Sequence, residues 1–195
     1  MSGRPVWVFA YGSLMWRPEI PFLRREKARL FGWHRRLCVY SHHYRGTPDD
    51  PGLVLGLDRG GSCTGVAYEV APRDESAVLA KLDARELVTH VYRRTRLPIV
   101  TAAGTVPAWT YVARREHGQY AGVLDEARTL ALVEQACGHA GPCREYVVNT
   151  VKHLHELGIR DRRLQAVAAR LGWRATGDRA ATLAVTGADG HIARG

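Results

Sequence analysis

Cysteine is scarce in this 195-residue chain: Cys38, Cys63, Cys137 and Cys143 are scattered, with no CxxC pair among them. That spacing excludes a disulfide scaffold and the paired-thiol zinc modules. Lysine is scarcer still, at Lys27, Lys81 and Lys152 only, so the net charge of +9 is carried by arginine. The basic residues are spread along the chain, and no RNP, zinc-finger or helix-turn-helix signature accompanies them. The expectation is a solvated arginine surface and no nucleic-acid partner. No apolar run nears the roughly 20 residues that cross a bilayer, so no membrane partner is expected. "MSGRPVWVFAYGS" lacks the apolar core and cleavage site of a signal peptide, and the default expectation is a cytoplasmic protein.

Histidine is better represented, but its arrangement does not suit a metal. His153 and His155 fall at i, i+2 of a helical stretch and diverge, His42-His43 are adjacent in an irregular one, and HExxH is missing. GxSxG and the phosphate-loop pattern are missing as well. No metal is expected.

What is present reads as one α+β domain over residues 1–174, with 175–195 a small, polar, poorly packed tail. Val6–Ala10 is a short apolar strand, and Arg29–Tyr40 a strand bent at Gly32. Gly52–Asp58 and Cys63–Val70 flank "RGGS" and suggest a hairpin with glycine in its turn. A helix follows Pro72 and runs to about Arg85, with Val78, Leu79 and Leu82 on one face. Two strands, "YRRTRLPIV" and "TVPAWTYVA", come next. Helical spacing then links Leu130, Val133 and Cys137; Val147, Val151 and Leu154; and Leu164, Val167, Ala168 and Leu171, the latter two helices stopped by Gly158 and Gly172. Together these give a curled, barrel-like sheet with helices beside it.

Two places could carry chemistry. The first strand ends abruptly in Tyr11-Gly12-Ser13-Leu14, where the first N–H groups of a turn or helix lack internal partners and can donate to an anion. In "LDAREL", Asp83 and Glu86 lie near a helix C-terminus, where the macrodipole disfavours a negative charge. On spacing alone, a plain turn and an ordinary surface glutamate remain open alternatives.

Four segments taken in order resemble the ChaC family of γ-glutamylcyclotransferases: "FAYGSLMWRP", "YRGTPDDPGLVLGLDRGGSCTGVAYEV", "LDARELVTHVY" and "QYAGVLDEARTLALVEQACGHAGPCREYVVNTVKHLHELGI". The resemblance covers about residues 6 to 171. It implies a γ-glutamylcyclotransferase-like fold, a mixed barrel-like sheet with flanking helices. It also implies a cofactor-free cleavage of glutathione into 5-oxoproline and cysteinylglycine. By this resemblance Tyr11, Gly12, Ser13 and Leu14 hold the γ-glutamyl group, Glu86 is the general acid/base, Arg45 touches substrate and Tyr146 lines the pocket. Where many relatives carry glycines after the glutamate, this chain has Thr89-His90-Val91, which bears on substrate preference. The alternatives are the same reaction on another γ-glutamyl amino acid or amine, and a non-catalytic binding module on the same fold. Should Glu86 not be the base, Glu116 and Glu145 are the first rivals.

Overall fold

A computed structural model describes residues 5–175; the proposed tail from 176 onward lies outside the described residues. Strands β1 (Val6–Ala10), β2 (Arg24–Ser41), β3 (Gly52–Val70), β4 (Tyr92–Thr101) and β5 (Gly104–Ala113) close into a barrel in the order β1-β3-β2-β4-β5. All neighbours are antiparallel except β5 and β1, whose parallel pairing shuts the barrel. Helices α1 (Glu75–Glu86), α2 (Glu126–Gln135), α3 (Cys143–Glu156) and α4 (Arg162–Arg170) lie outside the sheet, and β6 (Cys137–Gly138) pairs with β7 (Gly141–Pro142) ahead of α3. No helix among the described residues is long and apolar enough to cross a membrane.

The expected hairpin at "RGGS" is not there. Gly52–Val70 is one continuous strand, paired along its length with β2. Gly60 and Gly61 take positive φ, and together they oppose the single residue Gly32, also at positive φ, between the pairs Phe31–Ser62 and Trp33–Arg59. Two residues against one is a β-bulge, which bends the ribbon without reversing it. A second bulge falls at Cys38, between the pairs Leu37–Leu55 and Val39–Val54. Cys137 also departs from expectation: α2 stops at Gln135, and Cys137 pairs with Pro142 in the small second sheet.

β1 is buried at all five positions, packed on both faces, which explains its unbroken apolar run. α1 rests on Val78, Leu79 and Leu82, and α3 on Val147, Val151 and Leu154. Gly158 and Gly172 end α3 and α4 at positive φ, where glycine carries no Cβ penalty. Acids cap α2 and α4: Asp125 accepts from the Arg128 N–H at 2.7 Å, and Asp161 from the Leu164 N–H at 3.2 Å.

Two buried polar features complete the barrel. Asp58 on β3, with a side chain 2 % exposed, accepts from Arg115 Nε (2.7 Å), the Tyr120 hydroxyl (3.0 Å) and the Arg59 N–H (2.9 Å). Burial pushes its carboxyl up, but these donors outweigh burial and hold it below the usual range. Cys38, Cys63 and Cys143 are buried thiols. Burial pushes Cys38 up to about 12, reinforced by Asp58, and Cys143 up to about 11 against a hydrogen bond with the Leu53 backbone.

Candidate active site

All seven residues proposed from the sequence line one cavity of about 590 Å³: Tyr11, Gly12, Ser13, Leu14, Arg45, Glu86 and Tyr146. The rival Glu116 lies away from it, paired with Arg114 on the surface, and Glu145 is not among the cavity's lining residues.

One wall is where β1 ends. After Ala10 the chain leaves the sheet, with Gly12 at ψ −137°, and winds into one 3-10 turn over Ser13–Met15. Gly12 and Ser13 carbonyls are used within the turn, accepting from Met15 and from Trp16 and Arg17. Leu14 and Met15 carbonyls accept from the buried Tyr68 hydroxyl at 3.0 and 2.8 Å. The N–H groups of Gly12, Ser13 and Leu14 make no hydrogen bond among the described residues. They form a cluster of free donors at the head of a turn, suited to an anion or a developing oxyanion.

A second wall carries Glu86, the last residue of α1. Leu82, one turn earlier on the same face, is fully buried and anchors that end of the helix. The Glu86 side chain is 18 % exposed and accepts no hydrogen bond among the described residues; Arg85 Nε lies 3.3 Å from it. Burial raises its carboxyl above the ordinary value, only partly offset by Arg85, and the negative end of the helix acts in the same direction. A carboxyl so placed exchanges a proton closer to neutrality than a surface glutamate does.

Arg85 joins the two walls, a role the sequence did not reveal. Its guanidinium donates to Ser13 Oγ at 2.8 Å and to the Arg17 carbonyl at 2.9 Å, and it pairs with Glu19 at 3.5 Å. One planar cation therefore sets the glutamate against the donor turn.

The floor is aromatic. Tyr146 on α3 accepts the Leu55 N–H on its hydroxyl at 3.2 Å, and the Tyr92 hydroxyl donates to the Leu55 carbonyl at 2.7 Å. Both bonds reach β3 just beside the Cys38 bulge. Burial pushes the phenols of Tyr11, Tyr92 and Tyr146 upward, and Glu86 adds to this, so all three stay neutral. Tyr92 and Tyr111 also line the cavity; strand periodicity alone does not mark them. The Arg45 guanidinium sits 5.5 Å above the Tyr146 ring. Its Nη1 donates to the Pro142 carbonyl at 3.3 Å, and the backbone beside it is close-packed: a Cβ on Gly46 would stand 2.2 Å from the Gly52 nitrogen.

Among the described residues no group of His, Cys, Asp and Glu is arranged to hold a metal ion. His153 stacks on Trp16 at 4.6 Å and His43 on His139 at 4.7 Å, both along the cavity rim.

The family model described as "ChaC-like protein" matches residues 6–172. Over 158 residues the chain is 34 % identical to the glutathione-specific gamma-glutamylcyclotransferase of Escherichia coli, covering 80 % of this chain and 68 % of that one. It is 29 % identical over 174 residues to glutathione-specific gamma-glutamylcyclotransferase 1 of Homo sapiens, covering 86 % and 78 %. The crystal structure of a yeast gamma-glutamyl cyclotransferase specific to glutathione superposes with a TM-score of 0.79 at 19 % identity, over 87 % of this chain and 96 % of that one, which shows the shared fold. With that fold, and with a match running from β1 to the end of α4, the chain belongs to the ChaC-like family of γ-glutamylcyclotransferases.

Proposed function

We propose that this protein cleaves glutathione into 5-oxoproline and cysteinylglycine, with Glu86 as the proton relay. The observation that carries the proposal is a buried carboxyl, raised by burial, set by one arginine against a turn of unpaired amides.

The reaction asks little of the protein. The α-amine of the γ-glutamyl group attacks its own γ-carbonyl carbon, and a five-membered lactam closes as the amide C–N bond breaks. Nucleophile and electrophile belong to one molecule, so a well-oriented pose reaches effective molarities on the order of 10⁵–10⁸ M. The amine is mostly protonated near neutral pH and must lose a proton to attack. Glu86 takes that proton and returns one to the departing cysteinyl nitrogen, a poor leaving group without it. Negative charge developing on the carbonyl oxygen meets the N–H groups of Gly12 to Leu14, each well-aimed donor contributing about 2.7–4 kcal/mol. The neutral tyrosines and the Tyr146 ring exclude water and fix the substrate's orientation.

The test is 5-oxoproline release from glutathione by the wild type beside Glu86→Gln. A wild type that releases none, or a variant that releases as much, rejects the assignment. The rim beside Glu86, where Val88 and Thr89 line the cavity, is where a preference for another leaving amine would be set. Running γ-glutamylalanine beside glutathione distinguishes the two substrates.

A further inference from the structure

We infer that Arg35, held by Asp161, is a positioning residue for this reaction: it keeps the end of β1 parted from β3 and so turns the Gly12 amide into the cavity. The inference rests on the functional reading above, and it starts from the register of the sheet. β1 pairs with β3 from Val6–Val70 to Ala10–Val66. Extending that ladder would set Tyr11 against Gly65 and Gly12 against Thr64, and the free amides of the turn would be drawn into strand hydrogen bonds.

The ladder stops instead, and a single guanidinium fills the gap. Arg35 Nε donates to the Tyr11 carbonyl and Nη2 to the Thr64 carbonyl at 2.8 Å. These are the two backbone acceptors on either side of the parting. A peptide unit is planar, with its C=O and the following N–H pointing in opposite directions. Gripping the Tyr11 carbonyl therefore aims the Gly12 N–H away from Arg35. Arg35 does not line the cavity, whereas Tyr11 to Leu14 do, so the amide is aimed from behind.

The wedge itself is fixed. The Arg35 side chain is 3 % exposed, and Nη1 reaches Asp161 Oδ2 at 3.2 Å. The other oxygen of Asp161 caps α4. A buried guanidinium without a counter-ion is strongly disfavoured, so the α4 N-cap supplies the charge that lets the wedge exist. In this way α4, far from the chemistry in sequence, bears on the donor turn.

Arg35→Lys provides the test. It keeps a cation beside Asp161 but cannot bridge both carbonyls. We expect kcat/KM per folded molecule to fall about 10- to 100-fold, and the backbone amide resonances of Gly12 and Ser13 to broaden or split while those of Val8 and Tyr68 stay in place. A purely structural arginine would lower Tm and leave both readouts unmoved. An unmoved Gly12 resonance overturns the inference whatever the rate does, and so does a wild-type kcat/KM. The resonances need no substrate, so they judge it separately from the functional reading, which alone fails if the wild type releases no 5-oxoproline. Should Arg35→Lys not fold, Asp161→Asn replaces it. Asparagine still caps α4 but leaves the buried Arg35 without its counter-ion, so the same shifts are expected at equal or larger amplitude, and a wild-type value in either readout overturns the inference.

Discussion

Glu86→Gln separates what the carboxyl contributes to turnover from what it costs the fold. The substitution keeps shape and removes charge, and Arg85 retains Ser13, the Arg17 carbonyl and Glu19, so the link between the two walls survives. Loss of general acid–base action lowers the rate about 10²- to 10⁴-fold, or about 2.7–5.5 kcal/mol of barrier. Stability moves the other way. Because burial raises the Glu86 carboxyl in the folded state, the folded protein binds that proton more tightly than the unfolded chain. Stability is thus lost as pH rises from the ordinary glutamate value up to the raised one, and the deficit stays constant above it. Each unit of upward shift is worth about 1.4 kcal/mol, or about 3–5 °C in Tm for a chain of this size. Glutamine does not titrate and escapes the deficit. Paired melting curves at neutral pH and at about pH 4 should show the variant melting higher in the first and matching the wild type in the second. The acid limb of the wild-type kcat/KM profile should lie above the ordinary glutamate value. A variant that melts lower at neutral pH, or keeps turnover within tenfold, refutes the reasoning.

Gly12→Ala places a Cβ 3.9 Å from Leu55 Cδ1 and 4.0 Å from the Tyr146 hydroxyl, ordinary contacts that leave the fold intact while filling cavity space. Release of 5-oxoproline should fall about tenfold or more with Tm little changed; full activity would move the substrate elsewhere. Asp58→Asn deprives Arg115, Arg36 and Tyr120 of a charged acceptor and should lower stability at neutral pH by about 1.5–3 kcal/mol. Since donors hold that carboxyl below its usual range, the gap should close as pH drops through its folded value, and a gap undiminished in acid counts against the reading. His90 has φ 56° on the exposed loop after α1. His90→Gly relieves that conformation and should raise stability by up to about 1 kcal/mol; a lower Tm would show that the imidazole contributes more than its backbone strain removes.

The candidate site was legible in the sequence because its pieces are short and local. A strand breaking at Tyr11-Gly12 and a glutamate at an unfavourable helix end are both visible as departures from propensity, and the resemblance joined them. Helix faces read from Val78, Leu79 and Leu82, or from Val147, Val151 and Leu154, match the buried faces of α1 and α3. What the sequence concealed depends on partners far away in the chain. Gly60-Gly61 has the chemistry of a turn, and only the presence of β2 along both halves makes it a bulge. Arg35 and Arg85 are two arginines among many. Their roles come from which carbonyls and carboxylates the barrel brings within reach, and no local pattern encodes that.

The buried thiols have a bearing on the company this protein would keep. Thiolate is the species that attacks a disulfide, and with Cys38 at about 12 and Cys143 at about 11 only about one Cys38 in 10⁵ and one Cys143 in 10⁴ is ionised at neutral pH. Buried, Cys38 among Val39, Val91 and Ala113 and Cys143 at the start of α3, they are poor partners for mixed-disulfide formation. An enzyme that handles a thiol-bearing tripeptide would thus keep these two of its own thiols out of the redox traffic its substrate brings.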